Sequence, residues 1–186
     1  MEPQTRHTIL LIEDSENDAL LMQRALEKSA IPDCIHIARS GKEAIEYLKG
    51  VGPFRNRQEF PLPQLVLLDL QMPEMHGLKV LEWIRSQPEF RSTVVIVLSS
   101  SRLPGDIQLA YKLGSNSYLV KPPTLEMLYQ TVAAIAQYWL SLNQWPEDPL
   151  QLRPAAELPV AVPQAGADAS EAGRAPGNQT IFSSSR

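Results

Sequence analysis

Leu65-Val-Leu-Leu-Asp-Leu-Gln-Met-Pro-Glu-Met-His-Gly77 is the stretch on which the fold turns. Its first four residues, Leu65 to Leu68, are apolar without alternation, the pattern of a strand buried on both faces, as in a parallel sheet covered by helices. A carboxylate, Asp69, follows at once, at the carboxyl end of that strand, where ligands bind in open α/β sheets. Met72-Pro73 then breaks the strand, because proline has no N–H for the ladder and restricts the residue before it. Gly77 stands at the entry to a helical pattern. A buried strand that ends in one acid and a broken loop is a candidate site, and the remaining chain must supply its partners.

Working outward toward the N-terminus, the same design recurs. Thr8-Ile-Leu-Leu-Ile12 is a second buried strand, and it ends in Glu13-Asp14. Residues 15–29 carry apolar side chains at Leu20, Leu21, Ala25 and Leu26, a helical spacing that Pro32 closes. Cys34 to Ala38 reads as a short strand, with Cys34 expected in the core. Ser40-x-x-Glu43 is a capping box. It opens a helix with Ala44, Ile45 and Leu48 on one face and Gly50 as its stop. Residues 51–64, with Gly52, Pro53, Pro61, Pro63, Arg55 and Arg57, read as an irregular surface loop.

Toward the C-terminus, a helix over 78–86 turns Val80, Leu81 and Ile84 inward. Thr93 to Leu98 is a buried strand ending in Ser99-Ser100-Ser101. Pro104 suits the first turn of a helix that runs to Leu113 and is capped by Gly114. Ser117 to Val120 is a last strand, ending in Lys121-Pro122-Pro123. Thr124 caps a long helix with Leu125, Leu128, Val132, Ile135 and Trp139 along one face. The aromatics Tyr138, Trp139 and Trp145 near its end serve either core packing or a partner surface.

Five strands alternating with five helices imply right-handed crossovers and a parallel sheet. The expected fold is a flavodoxin-like, doubly wound α/β sandwich with strand order 2-1-3-4-5. That order sets Glu13 and Asp14 beside Asp69, with Ser99 and Lys121 approaching from the other side. Residues 1–7 are expected to be disordered, 8–145 to form the domain, and 146–186 to be a disordered tail. The tail is rich in Pro, Ala and Gly and holds too little apolar surface to offset its ordering entropy.

Composition narrows the function. The 186 residues are 44% apolar, enough for one ordinary core, and carry a net charge of −4. No basic stripe and no helix-turn-helix points to nucleic acid. A single cysteine forbids an intrachain disulfide. No apolar run approaches the roughly 18–20 residues of a membrane span, and residues 1–7 do not resemble a signal peptide. A soluble, cytoplasmic protein is expected.

The candidate site has carboxylates and no Cys or His at ligand spacing, which suits a hard cation such as Mg²⁺ rather than Zn²⁺. A carboxylate beside such an ion can attack phosphorus and form an aspartyl-phosphate. The phosphoryl oxygens then need a cation and hydroxyl or amide donors. Asp69 is the candidate nucleophile, Lys121 the countercharge and Ser99 the hydroxyl.

Taken together, Ile12-Glu-Asp-Ser15, Leu68-Asp-Leu-Gln-Met-Pro-Glu-Met75, Val97-Leu-Ser-Ser-Ser101 and Tyr118-Leu-Val-Lys-Pro122 resemble the motifs of response-regulator receiver domains of two-component signalling. The resemblance covers about Thr8 to Asn143. It is closest to the stand-alone receivers of the cyanobacterial-phytochrome type, one of whose insertions is similar to Phe60-Pro-Leu-Pro63. It implies that Glu13, Asp14, Asp69 and the backbone carbonyl of Gln71 hold Mg²⁺, and that Asp69 takes phosphate from a sensor histidine kinase, here of phytochrome-like type. It also implies that Ser99 and Tyr118 are switch positions whose movement alters the face of helix four, strand five and helix five. A downstream protein, a phosphotransfer partner or a second copy of the chain would meet that face. Three positions depart from the pattern: His76 stands where Asp is usual before Gly77, Ser99 replaces the commoner threonine, and Pro123 follows Lys121-Pro122 and is expected to stiffen the loop. A haloacid-dehalogenase-type phosphatase is a weaker reading, because its general acid would fall at Gln71. A receiver-like scaffold that is never phosphorylated is a further alternative.

Overall fold

Alternate residues of each central strand feed opposite cores. A computed structural model of the chain describes residues 7–28 and 34–145. Its strands are β1 (Thr8–Ile12), β2 (Cys34–Ala38), β3 (Leu65–Leu68), β4 (Val94–Ser99) and β5 (Ser117–Val120). All pair in parallel, in the order β2-β1-β3-β4-β5. The helices are α1 (Glu16–Lys28), α2 (Gly41–Lys49), α3 (Gly77–Ser86), α4 (Pro104–Lys112) and α5 (Leu125–Ala136). Leu10, Ile12, Val66, Leu68, Val95 and Val97 pack on one face with Ala44 and Leu48 of α2, Val80, Leu81 and Ile84 of α3, and Ala110 of α4. Ile9, Leu11, Leu65, Leu67, Ile96 and Leu98 pack on the other with α1 and α5. Because β1, β3 and β4 are buried on both faces, their sequences cannot alternate with polar residues. Each buried Leu, Ile or Val adds about 1.5–3 kcal/mol of burial free energy. The edge strands β2 and β5 are mostly half-buried.

The helix ends follow local chemistry. The Ser40 hydroxyl accepts the Glu43 N–H at 3.1 Å, while the Glu43 carboxylate reaches past the cap to the Arg39 N–H at 2.6 Å. Gly50 ends α2 at φ 66°, a conformation that costs glycine little. His76 is the cap of α3, its Nδ1 accepting the Leu78 N–H at 3.3 Å. Thr124 caps α5 through the Met127 N–H at 3.3 Å.

Several side chains stand elsewhere than their spacing suggested. In α1 the inward face is Ala19, Met22, Ala25 and Leu26, and Leu20 is exposed. The helix lies against both sheet and α5, so small residues, not the leucine pair alone, line the contact. In α2, Tyr47 is buried and Ile45 only half so. Leu125 at the start of α5 is exposed, and Cys34 is half-buried, its Sγ 3.1 Å from His36 Nε2.

The loop over 51–64 is an organised unit rather than plain surface. Phe54 and Phe60 meet edge to face at 5.2 Å and both pack against Tyr47, whose hydroxyl donates to the Pro61 carbonyl at 2.7 Å. The Arg57 guanidinium donates to the carbonyls of Tyr47, Leu48 and Phe60 and so closes the loop on the end of α2. After α5 the backbone widens into a π-helical turn, Gln137–Leu142. Trp139 and Trp145 pack against the α1–α5 core, with Trp145 Nε1 donating to the Trp139 carbonyl at 2.8 Å, and Tyr138 is exposed. Ser29, Pro32, residues 1–6 and the tail over 146–186 lie outside the described residues.

Candidate functional site

Sheet hydrogen bonds run one residue beyond the strands and fix the site. The Glu13 N–H donates to the Ala38 carbonyl at 3.0 Å, the Asp69 N–H to Ile12 at 3.0 Å and the Lys121 N–H to Ser99 at 2.8 Å. Three side chains that the sequence scatters along the chain are thereby held by the same pairing that makes the sheet. Gly77 lets the loop after β3 close on them. Its N–H donates to the Leu70 carbonyl at 2.9 Å, and a Cβ there would lie 2.1 Å from the Asp69 carbonyl oxygen.

The structure brings Glu13, Asp14 and Asp69 together, with one carboxylate oxygen from each lying within 4.8 Å of the other two. Glu13 is 1% and Asp69 5% exposed. Lys121 reaches into this group, its Nζ lying 2.6 Å from Glu13 Oε2 and 2.8 Å from Asp69 Oδ2. The ammonium also meets Asp18 Oδ2 at 2.9 Å. Asp18 is a member of the site that the strand-end pattern does not mark, because it lies within α1. The available signal was its place one turn after Asp14, on the helix that leaves the site.

Burial and charge oppose one another here. Burial pushes the Glu13 carboxyl up to about 7, against the hydrogen bond and charge of Lys121 that pull it down. Burial alone would lower the Lys121 ammonium, but its hydrogen bonds to Asp69, Glu13 and Asp18 hold it above the ordinary lysine range. One ammonium does not compensate the buried acids. A hard divalent cation fits this donor set, which offers only oxygen and has a buried carboxylate short of positive charge.

The surrounding loops are joined by polar side chains. The Gln71 N–H donates to Asp69 Oδ1 at 3.2 Å, and its side-chain carbonyl accepts the Ser100 hydroxyl at 2.7 Å. Ser99 is fully buried, and its hydroxyl accepts the Ser101 N–H at 3.4 Å rather than meeting Asp69. Ser101 donates to Asp106 Oδ2 at 2.5 Å, and the Tyr118 hydroxyl donates to the Ser101 carbonyl at 2.9 Å. Glu13, Asp14, Asp69 and Lys121 are thus one cluster, whereas Ser99, Gln71 and Tyr118 surround it through the loops after β3 and β4. Among the described residues, no helix is long and apolar enough to cross a membrane.

Known proteins resemble this chain in sequence and fold. Response regulator Rcp1 of Synechocystis sp. is 37% identical over 132 residues, covering 71% of this chain and 88% of that protein. A probable methanogenesis regulatory protein, FilR2, of Methanothrix harundinacea is 38% identical over 147 residues, covering 78% of this chain and 92% of its own. Among solved structures, the phosphorylated cyanobacterial phytochrome response regulator RcpA superposes with a TM-score of 0.72 at 37% identity, over 76% of this chain and 99% of that one. The Mn²⁺-bound form of Rcp1 gives 0.70 at 36% identity, over 75% and 99%. Residues 9–133 match the family described as response regulator receiver domain, a family of signalling domains, and with these relatives the match establishes that the chain belongs to it.

Proposed function

We propose that this chain is a phosphorylation-driven switch in which Asp69 accepts a phosphoryl group from a sensor histidine kinase, of phytochrome-like type. The observation that carries the reading is the Lys121 ammonium 2.8 Å from Asp69 Oδ2, at the edge of the Glu13–Asp14–Asp69 group. Glu13, Asp14, Asp69 and the backbone carbonyl of Gln71 would hold Mg²⁺. Bound there, the ion neutralises charge on the transferring phosphoryl oxygens. An Asp69 carboxylate oxygen forms the new bond to phosphorus as the bond to the donor histidine nitrogen breaks, and the imidazole leaves with that electron pair. Lys121, already paired with Asp69, supplies positive charge on the far side. The Ser99 hydroxyl gives up the Ser101 amide and donates to a phosphoryl oxygen.

Phosphorylation replaces the single carboxylate charge of Asp69 with nearly two on the phosphoryl group, a net gain of about one, and brings three phosphoryl oxygens as acceptors. Moving Ser99 would pull on Ser101, and through the Ser101 carbonyl it would release the Tyr118 hydroxyl. The affected face is α4, β5 and α5, where Leu103, Leu109, Tyr111 and Met127 are exposed. That face meets a downstream protein, a phosphotransfer partner or a second copy of this chain, in the cytoplasm. This is a population shift between two packings of the β4–α4 loop.

Incubation with Mg²⁺ and acetyl phosphate, followed by intact-mass measurement, tests the reading. The expected gain is about 80 Da, one phosphoryl group, absent after chelation with EDTA and absent in Asp69→Ala. A gain that survives Asp69→Ala would contradict it. No gain from either acetyl phosphate or a phosphorylated kinase would favour a protein-binding scaffold.

A further inference from the structure

We infer that Asp18 is a positioning residue that gives the Lys121 ammonium a partner outside the acid group, so that the site can hold a divalent cation and the ammonium together. The inference rests on reading Glu13, Asp14 and Asp69 as cation ligands. An ammonium has three donors and no acceptor, and at Lys121 all three are directed at carboxylates: Glu13, Asp69 and Asp18 at 2.6, 2.8 and 2.9 Å. Two of those carboxylates belong to the group able to surround a metal ion, and Asp18 does not. Ammonium and divalent cation therefore draw on the same two carboxylates, Glu13 and Asp69, and like charges at this range repel strongly in a half-buried site.

The Lys121 side chain is only 13% exposed, so an ammonium displaced from Glu13 and Asp69 would be left unpaired away from water, which is costly. Asp18 removes that penalty. Its side chain is 45% exposed, so its own charge is cheap to maintain, and its N–H donates to the Ser15 hydroxyl at 3.3 Å, which fixes the first turn of α1. Asp18 also lines a cleft of about 310 Å³ between α1 and α5, with Leu21, Lys121, Pro122 and Leu128, so the carboxylate stays open to solvent while facing the ammonium. A simpler role exists: acids near a helix N-terminus complement its dipole. That role predicts a change in stability and none in cation affinity.

The test is Mg²⁺ titration by calorimetry on the full chain, as wild type, Asp18→Asn, Lys121→Met and the double variant, with a thermal melt of each. Asp18→Asn is expected to weaken Mg²⁺ binding about five- to tenfold, the range for residues that share a partner, and Asp18→Glu to recover most of it. With Lys121→Met in place, the Asp18→Asn factor falls below about twofold, because there is no ammonium left to hold. Unchanged affinity in Asp18→Asn would overturn the inference. So would an equal weakening with and without Lys121, which would make Asp18 a distant charge acting through its field. Wild-type protein that binds no Mg²⁺ would remove the reading of the acid group itself, a result separable from either.

Discussion

The Tyr118 hydroxyl donates to the main-chain carbonyl of Ser101 at 2.9 Å, joining edge strand β5 to the loop that follows β4. Ser101 in turn holds Asp106 of α4 and Ser99 of β4, so one phenol is linked to both the buried hydroxyl and the first turn of α4. The ring is half-buried against the core of α2, α3 and α4.

Tyr118→Ala is therefore expected to leave phosphorylation of Asp69 intact while uncoupling it from α4. Hydrogen–deuterium exchange of residues 101–113 should change on phosphorylation of the wild type and not of the variant. An identical change in both would exclude Tyr118 from the switch. Tyr118→Phe, which loses only the hydrogen bond, should cost about 0.5–1.5 kcal/mol in denaturant melts.

Gly77→Ala should be among the most damaging single-methyl additions. The new Cβ would lie 2.1 Å from the Asp69 carbonyl oxygen and 2.8 Å from Leu70 Cα, both backbone positions of the site loop. A loss of about 2–3 kcal/mol is expected, together with weaker Mg²⁺ binding because Asp69 must shift. Stability within about 0.5 kcal/mol of wild type would show that the loop yields.

Arg57→Ala separates stability from chemistry. Three carbonyls, those of Tyr47, Leu48 and Phe60, lose their guanidinium donor, at an expected cost of about 2–3 kcal/mol. Arg57→Lys should not recover it, since one ammonium cannot reproduce the planar fork. Phosphorylation of the folded variant should be normal, because the contacts lie on the α2 side, away from Asp69.

His36 sets a pH dependence. Its ring stacks on Tyr47 and Phe60 at 5.3 and 5.4 Å, and burial lowers its basicity from 6.5, opposed by Glu59. A folded-state value below the unfolded one means that the unfolded chain takes up the proton more readily. The stabilisation from His36 is thus fully present above about pH 6.5 and is lost as pH falls through the lower folded-state value. Urea midpoints of wild type and His36→Gln measured from pH 7.5 to 5 should converge as the pH drops. A constant gap would assign the histidine no titrating role.

The sheet was readable because its central strands are buried on both faces, so Leu65–Leu68 and Thr8–Ile12 stand out as unbroken apolar runs. Glu13, Asp69 and Lys121 were readable for the same reason: a polar residue directly after such a run has only the strand end to occupy. Asp18 was not, because its meeting with Lys121 depends on how α1 docks, and docking is set by Ala19, Met22 and Ala25, whose small or flexible side chains leave little periodic signal. The inward turn of Phe54 and the carbonyl clamp of Arg57 depend on a loop folding onto itself, which local propensity does not encode. The π-helical turn before Trp145 is likewise a tertiary effect, in which the indole donates back to Trp139. His76 shows the opposite case, a departure from the family's usual residue that works as a cap.

The most direct test is to locate the phosphoryl group. An acyl phosphate is reduced by borohydride to an alcohol, which converts a phosphorylated aspartate into homoserine, whereas a serine phosphate ester is untouched. After treatment with Mg²⁺ and acetyl phosphate, then borohydride, tandem mass spectrometry of the peptide spanning Leu65 to Lys79 should find homoserine at position 69. Reduction at Glu13, Asp14 or Asp18 instead, or a stable phosphate on Ser99, Ser100 or Ser101 with Asp69 unmodified, would contradict the account.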